Sequence, residues 1–380
     1  MLKHHHLLKT GEKMNKRQYK DSDKYISLLG MGGMRFPTLE NREIDVENAE
    51  LLIDYAIKNG VNYFDTAYFY HDEKSEEFLG KTLSRYPRDS YFLTDKMPMW
   101  MAETSDDAYR MFEEQFKRCG VDYFDFYFCH ALCESEFKKH KEFGFIDFLF
   151  EKKKEGIVKN VGFSFHDTPE MLEEILKSYQ WDVCQLQLNF FDWEYQRARE
   201  QYEVCKKYGV QVIVMEPVRG GALADLGEKA NACLKTVNPD KSIASWAIRF
   251  AMEKENVLTV LSGMSNVEQV KDNVETASGD VTLSETETEA LNKALAEYKK
   301  SKLIPCTACN YCKGCPVGID IRHMFKIYND DAYSSSKTKF KEEYKKLENK
   351  ADKCIGCGKC IRKCPQGIDI PSELKKISEI

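Results

Sequence analysis

The sequence predicts an α/β fold, an eight-stranded parallel (β/α)8 or TIM barrel, followed by a small, mainly helical domain. Two observations predict it. From about residue 25 to residue 275, short apolar runs alternate with amphipathic stretches of helical period. Eight of the 14 cysteines are then crowded between residues 306 and 364. The length of 380 residues also favours two domains, because single cores stop growing at about 250–300 residues.

The barrel prediction depends on eight strand-like runs, at residues 25–32, 61–67, 91–97, 124–130, 160–165, 183–190, 210–217 and 258–263. Amphipathic stretches lie between them, and right-handed crossovers between parallel strands leave few arrangements other than a closed barrel. An open doubly wound sheet is the alternative. Against it, no strand run is followed by G-x-G-x-x-G, and the glycine cluster at residues 30–33 lies within the first run.

The expected organisation is an N-terminal extension over residues 1–23, the barrel over 24–300 and the second domain over 301–380. An amphipathic helix from Ser284 to Lys300, which opens with a capping box of Ser284 and Glu287, joins the two.

Composition and charge restrict the class of protein. Hydrophobic residues make up 42% of the chain and charged residues 31%, which is typical of a globular protein with a substantial core. A net charge of −6 argues against nucleic acid as a partner, because that surface needs clustered Lys and Arg. No apolar run approaches the ~18 residues of a membrane span, and the polar start lacks a signal-peptide core. We therefore expect a cytoplasmic protein that acts on small molecules.

Polar residues at strand ends carry the predicted chemistry, because catalytic groups of parallel barrels come from those positions. The candidates are Asp65 and Tyr70 after the second run, Lys96 at the end of the third and His130 at the end of the fourth. Each one alone is as easily explained as a paired structural residue. Taken together, the four residues are less easily explained as structural, because Lys is almost never buried unless it is paired.

The set matches the needs of carbonyl reduction, in which a proton reaches the oxygen while a hydride reaches the carbon. The unperturbed pKa of tyrosine, ~10, is too high for easy proton cycling, and a neighbouring ammonium lowers the pKa of a phenol. We therefore expect Tyr70 to be the general acid and base and Lys96 to tune its pKa. Asp65 would hold the lysine, and His130 would orient the carbonyl oxygen.

The pattern D-T-A-x-x-Y at residues 65–70, followed by Lys96 and His130, resembles the catalytic tetrad of the aldo/keto reductases. The resemblance covers about residues 24–295 and implies a carbonyl reductase or alcohol dehydrogenase. It also implies NADP or NAD lying extended across the barrel mouth. Ser164 and Gln185 match the family's partners of the carboxamide. Residues 215–221 match the family's pyrophosphate loop, which implies contacts from Met215, Pro217, Val218 and Gly220. Residues 262–274 match the adenosine-phosphate segment, which implies contacts from Gly263, Ser265, Gln269 and Asn273.

Three positions depart from the family pattern. Phe165 stands where asparagine is usual, and Met215 stands where a tyrosine commonly stacks on the nicotinamide. Gln269 stands where an arginine often grips the ribose phosphate. Because a phosphate monoester favours a bidentate guanidinium, we expect a preference for NADH or weak discrimination. Arg219 and Lys271 are the other basic candidates for that phosphate.

Aromatic residues at or just after strand ends are candidates for the walls of an apolar substrate pocket. They are Phe69, Trp100 and Trp193, and ordinary packing explains each of them equally well. His166, which follows Ser164 closely in the sequence, is another candidate to face the pocket, but a lone histidine in a loop is usually structural or solvated, so it is not included in the catalytic set.

The C-terminal region carries two cysteine motifs, Cys306, Cys309, Cys312 and Cys315 before Pro316, and Cys354, Cys357, Cys360 and Cys364 before Pro365. A disulfide scaffold is disfavoured without an export signal, and zinc sites usually combine two close ligands with two distant ones. Three cysteines at this spacing serve one 4Fe-4S cubane, while the fourth, before proline, ligates the other cluster of a pair. We therefore predict two clusters held crosswise, with Cys364 joining the first motif and Cys315 joining the second.

Both motifs continue alike, as CPVGIDI and CPQGIDI, which indicates an internal repeat. The region resembles the bacterial-type dicluster ferredoxins, in their helical variant. The whole chain resembles the aldo/keto reductases with a C-terminal ferredoxin-like domain, which are found in anaerobic bacteria and archaea. That resemblance implies an oxygen-sensitive, NAD(P)-dependent oxidoreductase with a carbonyl or alcohol substrate and a redox partner protein. Two alternatives remain: an electron-transfer protein whose barrel binds nucleotide or a partner with little turnover, and clusters that are only structural.

Overall fold

The computed structural model describes residues 14–20, 22–301, 303–331 and 337–380. They form two compact units. The first contains the residues up to Pro217 together with Ala247–Leu283, and the second contains Val218–Trp246 together with Ser284–Ile380. The predicted domain bounds stay a prediction, and residues 1–13 of the predicted N-terminal extension lie outside the described residues.

The first unit contains the predicted barrel. A hairpin of β1 (Lys16–Gln18) and β2 (Tyr25–Ser27) precedes it. The closed barrel consists of β3 (Leu29–Gly32), β4 (Tyr63–Asp65), β5 (Phe92–Met97), β6 (Phe126–Leu132), β7 (Val161–Phe165), β8 (Val183–Gln187), β9 (Gln211–Met215) and β10 (Val257–Ser262). These strands are parallel and follow one another around the barrel in chain order, and β10 closes on β3. All eight predicted strands are confirmed, and the first predicted run is divided between β2 and β3.

Residues 14–20 belong to the predicted N-terminal extension, but the structure packs them into the barrel unit. The Arg17 guanidinium is buried and donates to the carbonyl oxygen of Lys254 at 2.6 Å. The Asn15 amide donates to Ala277 O at 2.8 Å. A strand of three residues is too short to show periodicity, so the sequence did not reveal it.

The helices are α1 (Val46–Lys58), α2 (Ser75–Leu83), α3 (Ser105–Cys119), α4 (Glu134–Glu142), α5 (Phe145–Lys154), α6 (Pro169–Ser178), α7 (Asp192–Tyr195), α8 (Ala198–Lys207), α9 (Glu228–Val237), α10 (Ile243–Met252), α11 (Val267–Ser278), α12 (Glu285–Lys299), α13 (Ile321–Asp330), α14 (Thr338–Lys346), α15 (Lys359–Arg362) and α16 (Ile370–Ser378). Their ends follow local sequence rules. The capping box of Ser284 and Glu287 opens α12 as predicted, and Gly120, with a φ of 62°, ends α3 in the left-handed conformation. Among the described residues, no helix is both long and apolar enough to cross a membrane.

The second unit is mainly helical, as predicted, and the internal repeat is visible in it. Asp320 caps α13 by accepting from His323 N at 3.0 Å, and Asp369 caps α16 by accepting from Ser372 N at 3.3 Å. The isoleucines on either side of both aspartates enter one apolar core, against which six of the eight clustered cysteines pack: Cys306, Cys312, Cys315, Cys354, Cys360 and Cys364. The repeated sequence therefore brings the two cysteine motifs onto a shared core.

Candidate functional site

The ammonium group of Lys96 lies at the centre of the predicted tetrad. Its side chain, at the end of β5, is fully buried and forms an ion pair with the Asp65 carboxylate. Lys96 Nζ also donates to the carbonyl oxygen of Thr66 at 2.7 Å and lies 3.4 Å from the Tyr70 hydroxyl. Lys96 therefore meets Asp65 and Tyr70, which are more than 25 positions earlier in the chain, at the strand ends.

Burial controls the electrostatics of this ion pair. Desolvation lowers the pKa of Lys96 from its ordinary value, and the Asp65 carboxylate opposes that shift. Desolvation likewise raises the pKa of Asp65, and the Lys96 ammonium opposes it. Each charge is tolerated in the barrel because of the other, so removal of one partner would leave an unpaired buried charge, which costs several kcal/mol.

His130 enters the same site from β6. Burial and the nearby Lys96 ammonium hold the pKa of His130 well below its usual range, so its imidazole is neutral at pH 7. A neutral imidazole carries one N–H, which suits the predicted hydrogen bond to a carbonyl oxygen.

Aromatic rings surround His130. Its ring centroid lies 5.1 Å from that of Trp100, 5.3 Å from that of Phe69 and 5.9 Å from that of Tyr70. Phe69 and Trp100 therefore form an apolar wall beside the rings of His130 and Tyr70.

Trp193, the third aromatic candidate, belongs to ordinary packing instead. Its ring contacts those of Tyr202 and Phe250, at centroid distances of 5.8 Å and 5.6 Å. Trp193 lies after a strand end, but it belongs to the short helix α7, and its ring packs into this aromatic cluster.

Ser164 and Gln185, the predicted carboxamide ligands, both contact the residues of the tetrad or their neighbours. Ser164 Oγ accepts from the backbone N–H of Ala131 at 2.7 Å, directly after His130. Ala131 has a φ of 51°, so the chain turns sharply at this point. Gln185 Nε2 donates to Asp65 Oδ2 at 3.1 Å. Their contact with a nicotinamide stays a prediction.

The segment from Ser262 to Asn273 is held by its own polar side chains. Asn273 Nδ2 donates to Ser262 Oγ at 2.9 Å, and Gln269 Oε1 accepts from Ser265 N at 2.7 Å. The Gln269 amide therefore holds its own loop in place. An arginine at this position would instead offer a guanidinium to a phosphate.

Arg35 is a candidate that the sequence analysis missed. It packs so closely on Gly263 that a β-carbon added there would lie 2.9 Å from the Arg35 side chain. Its guanidinium forms an ion pair with Glu216 at 2.8 Å, just after Met215 and before Pro217. Arg35 follows the end of β3, so the rule that selected the tetrad could also have selected this residue.

Val218 and Gly220 fall in the second unit, so their predicted cofactor contacts stay a prediction. A contact between Arg219 and the phosphate likewise stays a prediction. The side chain of Arg219 is buried and donates to Gln366 Oε1 at 2.8 Å, within the second unit. The sequence showed a basic residue in a loop, but it did not show where that residue points.

A second buried network, which the sequence analysis also missed, holds the backbone of Lys96. Asp95 Oδ1 accepts from Lys96 N at 2.8 Å, and Gln115 Nε2 donates to Lys96 O at 3.1 Å. The carboxyl groups of Asp95 and Glu76 hydrogen-bond to each other, and burial with the neighbouring Glu76 raises the pKa of Asp95 well above its usual range. Glu76 in turn accepts from Arg118 Nη1 at 3.1 Å. The protonated form of Asp95 is therefore favoured, and its O–H donates a hydrogen bond to the Glu76 carboxylate.

The eight clustered cysteines line two cavities in the second unit. The first cavity is lined by Cys306, Cys309, Cys312 and Cys364. The second is lined by Cys315, Cys354, Cys357 and Cys360, and Cys312 also reaches it. Each cavity thus combines three cysteines of one motif with the fourth cysteine of the other.

These cysteines surround a space and do not meet at a point. In the described part of the chain, no three His, Cys, Asp or Glu side chains converge as the ligands of a single metal ion would. A cubane instead binds thiolates at separate corners, so a cavity with cysteines around its wall is the geometry that it requires.

Comparison with known proteins agrees with both parts of this description. The aldo/keto reductase family profile matches residues 28–296, and the 4Fe-4S dicluster domain profile matches residues 302–368. An uncharacterized oxidoreductase of Bacillus subtilis, YqkF, is 25% identical over 308 residues, which cover 73% of this chain and 95% of the relative. The NADH-specific methylglyoxal reductase of Escherichia coli is 24% identical over 62% of this chain and 85% of its own length.

A solved structure shows the same architecture. The holo form of the aldo-keto reductase AKR11C1 from Bacillus halodurans superimposes with a TM-score of 0.61, at 26% identity, over 74% of this chain and 96% of the other. With the first profile covering most of the chain, the protein is an oxidoreductase that belongs to the aldo/keto reductase family and carries a C-terminal 4Fe-4S dicluster domain.

Proposed function

We propose that the barrel reduces the carbonyl group of a small aldehyde or ketone to an alcohol with NAD(P)H, or catalyses the reverse oxidation. One observation carries the proposal: the buried Lys96 ammonium is paired with Asp65 and lies 3.4 Å from the Tyr70 hydroxyl. When bound, the nicotinamide supplies the hydride to the carbonyl carbon. Tyr70 donates its proton to the carbonyl oxygen, and the Lys96 ammonium favours the phenolate that remains.

The other residues of the site orient the substrate and exclude water. The neutral imidazole of His130 donates a hydrogen bond to the carbonyl oxygen, because the low pKa of this histidine keeps one ring nitrogen protonated and the other not. Phe69 and Trp100 pack around His130 and favour an apolar substituent on the substrate.

For the nucleotide, we propose a preference for NAD(H). Ser164 and Gln185 hold the carboxamide, and Met215 and Pro217 border the pyrophosphate. Gly263, Ser265, Gln269 and Asn273 form the adenosine end. The preference is supported by Gln269, whose amide bonds to its own loop, and by the E. coli relative that is named NADH-specific.

For the second domain, we propose two 4Fe-4S clusters with crossed ligands and a redox partner protein. Cys306, Cys309, Cys312 and Cys364 hold the first cluster, and Cys315, Cys354, Cys357 and Cys360 hold the second. The grouping of the cysteines around two cavities supports this arrangement.

The substitution Tyr70→Phe tests the proposed reaction. We expect nicotinamide affinity within about twofold of wild type and a loss of turnover of ~10²–10⁴-fold, because the phenol acts only in proton transfer. Steady-state rates with aldehydes and ketones, together with fluorescence titration of NADH, measure both quantities on anaerobically purified protein. A variant that keeps more than about a third of the rate would exclude Tyr70 as the general acid.

A further inference from the structure

The cavity that receives Cys315, Cys354, Cys357 and Cys360 opens to the surface through an exposed rim. Lys359, Arg362 and Lys363 are exposed at this rim, and Ile361, which does not line the cavity, is 38% exposed. Residues 303–312, which contain the three close cysteines of the first motif, are all buried or half-buried. The two cysteine motifs therefore differ in access, although their sequences repeat.

The rim is also strongly basic. Residues 350–363 contain five basic side chains and one acidic side chain, Asp352, in a chain whose net charge is −6. Lys313, Lys359 and Lys363 line the cavity itself. Lys359, Arg362 and Lys363 are exposed, and among the described residues none of these three forms an ion pair with a carboxylate.

Charge compensation explains only part of this surface. Lysines at the cavity wall offset the negative charge of thiolates, but that requirement does not explain the exposed side chain of Ile361, which lies outside the cavity wall. It also does not explain Arg362, which lies outside the cavity wall. Exposed apolar residues surrounded by charges of one sign are typical of a surface that binds a partner of the opposite charge.

We propose that this basic rim (Lys313, Lys359, Ile361, Arg362 and Lys363) is the docking site for a small electron-carrier protein with an acidic surface. The acidic face meets Lys359, Arg362 and Lys363, and an apolar patch on the partner covers Ile361. The inference rests on the proposed cluster in the second cavity and does not depend on the carbonyl chemistry of the barrel. Complexes of this kind are small and transient, so charge sets much of their affinity.

The test measures binding by the full-length protein, purified anaerobically with its clusters. An acidic [2Fe–2S] ferredoxin is the probe, and a basic cytochrome c is the counterpart of opposite charge. We expect the ferredoxin to bind the wild type, and its affinity to fall at least about tenfold between about 0.02 M and about 0.5 M salt, because screening removes the attraction. We expect cytochrome c to bind at least about tenfold more weakly than the ferredoxin at low salt.

The double variant Lys359→Glu, Lys363→Glu should weaken ferredoxin binding at least about tenfold. The control is Lys58→Glu, Lys117→Glu, which changes the net charge equally on exposed barrel helices and should bind within about twofold of wild type. Iron content reports whether the clusters are intact. If the rim variant loses iron, Ile361→Ser with Arg362→Glu replaces it, since neither side chain lines the cavity.

Equal binding by the rim and control variants would overturn the proposal, as would no binding of ferredoxin to the wild type or equal affinity for cytochrome c. Carbonyl reduction with NADH is assayed on the same preparations. If the wild type does not bind ferredoxin but reduces carbonyls, only the docking proposal fails. If it binds ferredoxin but shows no reductase rate, only the proposed carbonyl reduction fails.

Discussion

The barrel site and the second unit, which carries the two cysteine motifs and is called the cysteine unit below, differ in how far their charged groups are exposed to water. In the barrel, Lys96 is withdrawn from water and its charge is balanced by one carboxylate. In the cysteine unit, the second cavity lies behind an exposed basic rim. Burial lets a single ion pair control a proton, because low dielectric strengthens its field. Exposure suits contact with another macromolecule. Under the proposed functions, the barrel would handle the proton and the second unit the protein partner.

The largest expected effect is that of Lys96→Met on turnover. The variant removes the ammonium that favours the Tyr70 phenolate and leaves the Asp65 carboxylate buried without its partner, so the rate should fall ~10²–10⁴-fold. If the two regions are independent, iron content and visible absorbance should stay at wild-type values. Lys139→Met, on α4, is a control that should keep most of the rate. A Lys96 variant with near-normal turnover would remove the central group of the proposed site.

The next effect concerns the cysteine unit alone. Cys364→Ser and Cys315→Ser each remove the ligand that one motif gives to the other motif's cluster. Each variant should lose about four of about eight irons. Low-temperature electron paramagnetic resonance should show Cys364→Ser perturbing the cluster of the first motif, and Cys315→Ser that of the second. The reverse assignment would show that each motif binds its cluster with its own four cysteines.

These two regions were also unequally predictable. The cysteine ligands are readable from local spacing, and the tetrad is readable once strand ends are placed, because a parallel barrel brings those ends together. The sequence could not show the contacts between side chains that lie on helices and strands distant from each other in the chain. The Asp95–Glu76 pair needs α2 beside β5, and Arg35 reaches Glu216 only when β3 and β9 share one barrel end.

Two further features that the sequence did not reveal have the same origin. The strand at Lys16–Gln18 is too short for a periodic pattern, and it is recognisable only by its pairing with Tyr25–Ser27. Arg219 lies in a loop whose position is set by contacts with residues about 150 positions later, such as Gln366. Sequence patterns describe elements and their ends well, whereas side-chain direction in loops is decided by tertiary packing.

A smaller effect is expected from Gln269→Arg. An arginine there would offer a bidentate guanidinium to the ribose phosphate, so affinity for NADPH should rise about tenfold relative to NADH, equivalent to about 1.4 kcal/mol. Dissociation constants for both nucleotides give the ratio directly. Lys271→Gln, which removes a nearby charge without changing Gln269, should leave the wild-type ratio within about twofold. A wild type that already binds NADPH far more tightly would show that another residue, such as Arg35, contacts the phosphate.

The smallest effect is expected from Asp95→Asn, and it depends on pH. Burial beside Glu76 raises the pKa of Asp95, so the folded state keeps a proton that the unfolded chain releases above its ordinary pKa. This contribution to the free energy of unfolding is therefore complete at low pH and is lost as pH rises towards the folded pKa, by at most about 1.4 kcal/mol per pH unit. Asparagine cannot ionise, and its side chain still accepts from Lys96 N and donates to Glu76.

The variant should thus gain stability relative to wild type between pH 5 and pH 8, with turnover within about threefold of wild type. Urea unfolding followed by circular dichroism at the two pH values measures the difference. Glu76→Gln is the matched control, because it leaves Arg118 without its buried carboxylate and should destabilise the protein at both pH values. A stability difference between Asp95→Asn and wild type that does not change with pH would mean that Asp95 is already ionised in the fold. The backbone N–H of Lys96 would then donate to an ionised Asp95 carboxylate, and the Lys96 ammonium would interact with the negative charges of both Asp65 and Asp95.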